Sequence, residues 1–245
     1  MELQGEDKKR GSGLTPNKRG LEGLTQGEAS IYDEAAGRDM KYEIVVVGAL
    51  ETNCYLAYCE ETRLCAVIDP GAESEKIIAA IAELEVKPAI ILNTHGHVDH
   101  IGANKDIKDK YHVPLALHAA DTGMLDVSDS IELSLLLEAK NSPPADRLLA
   151  GGDDITVGRF SLQVIHLPGH TPGSIGFLGR GILFSGDTLF FGGVGRTDLP
   201  GGSLKDLESS IRQRIMTLPG ETIVLPGHGP WTTVEQERST NPLLT

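Results

Sequence analysis

From Lys41 onward the sequence predicts a layered α+β domain, with sheets of short strands covered by helices. Two observations predict it: short apolar runs recur between Gly/Pro-rich turns, and a few longer stretches carry apolar residues at helical spacing. The first strands are expected at Tyr42 to Val47, Asn53 to Tyr58 and Leu64 to Ile68, ending in the turn Asp69-Pro70-Gly71. Residues Glu73 to Leu84 then place Ile77, Ile78, Ile81 and Leu84 on one helical face. Ala89 to Asn93 reads as a buried strand, followed by a short helix over Ala103 to Tyr111 and a strand at Pro114 to Leu117. Residues 119 to 150 are the least regular part, with Leu135, Leu136 and Leu137 in a short helix that Asn141-Ser142-Pro143-Pro144 breaks, a segment suited to a lid. Strands return at Ile155 to Val157, Phe160 to His166, Ser174 to Leu178 and Ile182 to Phe184. A helix over Leu204 to Met216, with Leu207, Ile211 and Ile215 on one face, precedes a last strand at Thr222 to Leu225.

Residues 1–39 differ in texture: mixed charge, scattered glycine and almost no β-branched or aromatic side chains. Such a stretch buries too little apolar surface to offset the entropy of ordering it, so it is expected to be a flexible extension preceding one domain over 40–245. At 245 residues the chain can bury roughly 70% of its unfolded surface without disulfide staples. The net charge of −13 argues against an extended nucleic-acid interface, which rests on a basic footprint, and against anionic membranes. Three cysteines, Cys54, Cys59 and Cys65, form no disulfide framework and suit a reducing compartment. With no secretory leader pattern and no long apolar run, the expected location is the cytoplasm.

The chemistry concentrates in H-x-H-x-D-H at His95, His97, Asp99 and His100, where a buried strand is expected to end. Imidazole and carboxylate at this density suit zinc, iron or manganese, and the lack of neighbouring cysteine favours an open site that keeps a water over a closed structural zinc site. Three later Gly/Pro-rich turns each follow a strand and add one candidate: His170 in LPGHTPG, Asp187 in SGDT and His228 in GHG. Such turns let several strand ends aim side chains at one point. Seven candidates exceed the needs of one tetrahedral ion and fit two ions about 3.5–4 Å apart that share a carboxylate and a solvent oxygen.

These residues resemble the metallo-β-lactamase superfamily, and within it the glyoxalase II (hydroxyacylglutathione hydrolase)-like group. The resemblance runs from Met40 to Trp231 on THGHVDH, LPGHTPGS, FSGDTLF followed by GRTDLPGG, and LPGHG, with TNCYL and VIDPGA as softer markers. It implies an αββα sandwich with a metal cleft along one edge. One ion would take His95, His97 and His170, the other Asp99, His100 and His228, and Asp187 would bridge. Zinc is the first expectation for both ions, with iron or manganese as alternatives. His97 stands where flavodiiron oxygen reductases carry glutamate, and Asp187 where metallo-β-lactamases proper usually lack a bridging carboxylate, which disfavours both activities. Ribonuclease members share the H-x-H-x-D-H run but need the basic surface that this charge balance does not supply. Glyoxalase II enzymes proper continue into a helical glutathione-binding domain; about 17 residues follow His228 here, so a short form is expected and glutathione recognition is left open.

The expected reaction is hydrolysis of a small acyl-thiol such as S-lactoylglutathione, by a hydroxide held between the ions, with Asp99 orienting it and accepting or relaying its proton. Persulfide dioxygenases, which use one iron and share both the H-x-H-x-D-H run and a Gly-Arg-Thr-Asp element, are the rival from another reaction class; a hydrolase of another small ester or lactone is a further alternative. A small-molecule substrate is expected, with neither nucleic acid nor membrane as partner. His112, His118 and His166 fall outside the ligand pattern and read as structural, Cys54 as a small buried hydrophobe. Arg196 and Asp198 are placed to pair and hold the loop after Asp187, or to meet substrate. Gly192, Gly193 and Gly195 lack the Gly-Lys-Ser/Thr sequel of a phosphate loop.

Overall fold

A computed structural model describes residues 40–126 and 141–244. The expected extension over 1–39 and the expected helix at Leu135 to Leu137 lie outside the described residues. Strands β1 (Met40–Val47), β2 (Thr52–Cys59), β3 (Leu64–Ile68), β4 (Lys87–Leu92), β5 (Leu115–His118) and β6 (Arg147–Leu149) form a first sheet in that spatial order. β1, β2 and β3 pair antiparallel through short turns, whereas β3 to β6 pair in parallel. Parallel pairing requires a crossover. Helix α1 (Ser74–Glu83) supplies the first of these, and the short α2 (Val98–Ile101) with α3 (Asn104–Tyr111) the second.

The second sheet contains β7 (Asp154–Val157), β8 (Phe160–His166), β9 (Ile175–Gly179) and β10 (Ile182–Gly186), joined by antiparallel pairs. After β10 the chain makes the hairpin β11 (Leu189–Phe190) and β12 (Gly193–Val194), then helix α4 (Leu204–Ser210). It returns as β13 (Ile223–Pro226), parallel to β10, and closes with β14 (Thr232–Thr233) and α5 (Val234–Thr240).

Side-chain alternation makes the two sheets face each other. In β2, Tyr55, Ala57 and Cys59 point inward and join Ile68, Leu92, Phe160, Leu162, Phe177 and Phe184 in the core between the sheets. Cys54 and Leu56, the alternate residues, pack outward with Ile77 and Ile81 of α1 and Ile107 of α3. On the far side Leu183 and Val224 meet Leu207, Ile211 and Ile215. The result is the expected αββα sandwich, in which central strands are apolar on both faces because both are covered. Each fully buried aromatic such as Phe177 is worth roughly 1.5–3 kcal/mol of transfer free energy. All three cysteines are free and buried, and burial pushes the Cys65 thiol up to about 12. Among the described residues no helix is long and apolar enough to cross a membrane.

Three departures from expectation have physical reasons. The helix expected over Leu204 to Met216 changes after Ser210 into one wider turn, in which Met216 N–H bonds the Ile211 carbonyl at 2.8 Å. Leu207, Ile211 and Ile215 nonetheless all stay on the sheet. The irregular segment supplies a 3₁₀ turn (Ala119–Leu125) and β6, a strand with only Leu149 buried and so without alternation to read. α5 buries Val234 and Glu237, and its Thr233 caps the Gln236 N–H; a helix with one buried apolar residue leaves little periodic signal.

Candidate metal centre

Parallel strands end on the same edge of a sheet, and the loops after them inherit that edge. β3 ends beside Asp69 and β4 beside Asn93 and Thr94, directly before His95. Asp69 is buried and accepts from Thr94 N at 2.7 Å through Oδ1 and from Thr94 Oγ1 at 2.6 Å through Oδ2, and that Oδ2 also lies 3.0 Å from His100 Nδ1. The same side chain therefore pins the start of the motif and orients one of its histidines. Asn93 Nδ2 donates to the His100 carbonyl at 3.0 Å, tying α2 back to the strand end. His97 sits at the N-cap of α2, with Asp99 and His100 in its first turn.

The second sheet supplies the rest. His170 lies in the turn between β8 and β9, Asp187 follows β10, and His228 follows β13. His170 Nδ1 bonds the Arg196 carbonyl at 2.7 Å, and His228 Nδ1 bonds the Leu50 carbonyl at 2.9 Å. Each contact fixes the ring with Nε2 directed at the other residues of the cluster, the arrangement expected of a ligating imidazole. The His228 loop is also held from the first sheet: Asn53 Nδ2 donates to Pro226 O and Gly229 O at 2.9 Å each, and Tyr55 OH to Pro226 O at 2.6 Å. At position 227 a Cβ would stand 2.2 Å from Asp187 Oδ1 and 2.7 Å from His100 Cε1, so only glycine lets this turn approach so closely.

All seven expected residues meet in one cleft. Their ligand atoms fall into three overlapping trios, each within 4.8 Å: His95, His97 and His170; His95, His100 and Asp187; and Asp99, His100 and His228. Asp187 stands between the first and last, with Oδ2 at 3.5 Å from both His170 Nε2 and His228 Nε2 and Oδ1 at 3.4 Å from His100 Nε2. Asp99 Oδ2 lies 3.2 Å from His228 Nε2. His97 Nδ1 approaches His170 Nε2 to 2.8 Å, and His100 Nε2 approaches His228 Nε2 to 3.3 Å. Among the described residues, His95 Nε2 and Asp187 Oδ1 are buried without a hydrogen-bond partner. A buried polar atom without a partner costs on the order of 1–3 kcal/mol. Two such atoms aimed into a cluster of imidazole and carboxylate, with no thiolate, fit divalent zinc, iron or manganese.

The electrostatics divide the cluster. Burial, reinforced by His170 and His100, takes His97 down to about 4, and burial with His100 takes His95 well below the usual imidazole range. His100 moves the opposite way: burial disfavours its charge, but Asp187, Asp99 and Asp69 outweigh it. For His228 burial also opposes, yet bonds to Asp187 and Asp99 lift it to about 9. Burial would raise Asp99, but the His100 charge holds it at about 2, and Asp187 is held well below the carboxylate range for the same reason.

The three histidines read as structural lie outside the cluster. His118 and His166 stack on each other, centroids 4.3 Å apart, and His112 ends α3 in a left-handed conformation. Arg196 and Asp198 pair as expected, through Nε–Oδ1 at 2.8 Å and Nη2–Oδ2 at 2.7 Å, on the exposed loop whose Arg196 carbonyl holds His170. Sequence reasoning missed Asp69 and Asn53. The first was read only as part of a turn, although an acidic residue closing the strand before the motif strand was the available signal.

The profile of the metallo-beta-lactamase superfamily matches residues 47–228, a span that contains every member of the cluster. The chain belongs to that superfamily. Among its relatives, a probable metallo-hydrolase, YqgX, of Bacillus subtilis (strain 168) is 39% identical over 209 residues, covering 84% of this chain and 98% of its own. The hydroxyacylglutathione hydrolase GloC of Haemophilus influenzae is 38% identical over 215 residues, covering 84% of this chain and 98% of its own. Of solved superfamily structures, the BLEG-1 B3 metallo-beta-lactamase superposes with a TM-score of 0.79 at 38% identity, covering 84% of this chain and all 100% of that one. TTHA1623 in a di-iron-bound form gives 0.75 at 40% identity, over 82% and 100% of the two chains.

Proposed function

We propose that this protein is a dinuclear metal-dependent hydrolase of small acyl-thioesters, with S-lactoylglutathione as the first substrate to test. The observation that carries the reading is the pair of trios with Asp187 between them, Oδ2 at 3.5 Å from one histidine of each. In this reading His95, His97 and His170 hold one ion, Asp99, His100 and His228 the other, and Asp187 bridges. Similarity to GloC over nearly its whole length supports the substrate class, similarity to the di-iron form of TTHA1623 supports a two-ion site, and the imidazole and carboxylate donors suit zinc, iron or manganese. In this reading the substrate is a small molecule, the reaction runs in the cytoplasm, and neither nucleic acid nor membrane is a partner.

When bound, the ions supply Lewis acidity and bring the pKa of water near 7. The chain's own groups do the rest. Asp99, held in the charged form by His100 and 3.4 Å from Thr52 Oγ1, orients the attacking water and accepts its proton at a carboxylate oxygen. The Leu50 and Arg196 carbonyls keep His228 and His170 in one orientation, so no reorganisation is needed as charge develops.

The deciding experiment is metal analysis of the purified protein joined to three assays: S-lactoylglutathione hydrolysis, oxygen uptake with glutathione persulfide, and β-lactam hydrolysis. Two ions per chain with thioester turnover are expected. One iron with oxygen uptake and no hydrolysis would replace the reading by a dioxygenase. Because BLEG-1 is a B3 metallo-beta-lactamase, faster turnover of a β-lactam than of any thioester would overturn the substrate class alone.

A further inference from the structure

A buried carboxylate outside the seven-residue cluster touches both loops that build one half of it. Asp121 lies in the 3₁₀ turn after β5 and is fully buried. Its Oδ2 accepts from Gly96 N at 3.1 Å and from Thr171 Oγ1 at 2.6 Å, and its Oδ1 accepts from Gly173 N at 2.7 Å. Gly96 separates His95 from His97, and Thr171 follows His170. We propose that Asp121 is a positioning residue that braces the His95/His97 loop against the His170 loop and thereby sets the affinity of that trio for its metal ion. The proposal rests on the two-ion reading above.

The chemistry requires a carboxylate here. Both oxygens are engaged, and all three donors are neutral, so their bonds to a charged acceptor are of the stronger, charge-assisted kind. An amide has one acceptor oxygen, and its NH₂ would face a glycine N–H or compete for the threonine hydroxyl. Thr171 is itself tied within its loop, with Oγ1 at 2.7 Å from Ser174 Oγ. The loops close tightly on the brace: a Cβ at 173 would stand 2.4 Å from Asp121 Oδ1, and one at 96 would stand 3.0 Å from the Asp121 carbonyl. Two direct bonds also join these segments: His97 Nδ1 to His170 Nε2 at 2.8 Å, made by the candidate ligand atoms themselves, and Ile175 N to Thr94 O at 2.8 Å, which lies outside the span between each loop's ligands. Among the described residues Asp121 hydrogen-bonds neither Asp99, His100 nor the His228 loop; Asp69 holds His100 and Asn53 the His228 loop. The hydrogen bonds of Asp121 therefore bear on the His95/His97/His170 half, and its effect is expected to fall chiefly there.

The test is calorimetric titration of the full-length, metal-free protein with Co²⁺, in two backgrounds that each leave one half intact. In the His228→Ala background, Asp121→Asn is expected to weaken the remaining site by roughly 10–100-fold, the usual cost of losing an outer-sphere partner. In the His97→Ala background it is expected to change the remaining site by less than about 3-fold. Thr171→Val, which removes one of the three donors, gives a smaller loss in the first background and remains informative if Asp121→Asn does not fold. Equal losses in both backgrounds, or none in either, would overturn the brace and leave Asp121 a general scaffold residue. A wild-type chain that takes up a single ion would instead overturn the two-ion reading; the brace would then be upheld or rejected by whether Asp121→Asn weakens that one ion.

Discussion

The trio His95, His97 and His170 is built of imidazoles alone, whereas Asp99, His100 and His228 combine a carboxylate with two histidines, and the protein sets their protonation in opposite directions. Burial keeps His95 and His97 neutral; Asp187 and Asp99 draw His100 and His228 toward the charged form, with Asp69 adding to the effect on His100. In the first half His97 stays neutral at any pH above about 4, and the buried His95 Nε2 has no hydrogen-bond partner among the described residues. The second half balances its own charges before any ion arrives. The two halves thus differ in charge in the metal-free chain, neutral imidazoles in one and paired charges in the other, and the carboxylate of Asp187 contacts both.

The comparison can be broken most forcefully at the shared residue. Asp187→Ala is expected to lower bound metal and thioester hydrolysis together, the latter by roughly 100-fold or more, read by metal analysis and steady-state rates. If both survive, Asp187 does not join the halves. The next test separates them: His97→Ala and His228→Ala should each bring the metal content down by one ion per chain, and a variant that keeps both ions dissolves the partition. Asp69→Asn is expected to weaken the ion beside His100 by about 10–100-fold, since it loses the acceptor of His100 Nδ1, while affecting the other ion less.

A smaller effect distinguishes the halves by pH. His228 is raised to about 9 from an ordinary 6.5, so in the metal-free protein its contribution to stability is complete below pH 6.5 and is lost as the pH rises through 9. Urea midpoints of metal-free wild type and His228→Ala should therefore differ most near pH 6 and converge by about pH 10. A gap that widens toward alkaline pH would reverse the assignment. The smallest effect is expected at Asp198→Ala: the pair with Arg196 is exposed, so activity should change by less than about 3-fold and the melting temperature hardly at all. A large loss of substrate affinity there would bring Arg196 into contact with substrate.

The cluster itself was legible because its chemistry is local. His95, His97, Asp99 and His100 lie within six residues, and His170, Asp187 and His228 each sit in a Gly/Pro turn directly after a strand, a pattern that survives any uncertainty about sheet order. The sandwich was legible in its central strands and in α1, where apolar periodicity is strong. What escaped depends on pairing across long stretches of chain. Asp69 acquires its role only because β3 lies beside β4 in parallel, and Asp121 only because a turn on the first sheet faces a loop of the second. β6, with one buried residue, and α5, whose buried Glu237 bonds Gly192 N and Thr232 Oγ1, carry no periodic signal at all. The wider turn at Ile211–Ile215 keeps the same apolar spacing as an α-helix, so the pattern could not reveal it.

The clamp from Asn53 and Tyr55 onto the turn at Pro226 spans more than 170 residues of sequence. Contacts of that separation close late, because the chain must spend loop entropy before gaining anything from them. Each sheet can begin to form from neighbouring strands, but the cleft exists only once the two have docked and His228 has swung in beneath β2. Metal uptake is then a natural stopwatch for refolding: a chelating dye competing for the ion would report the final docking step, lagging behind the recovery of secondary structure.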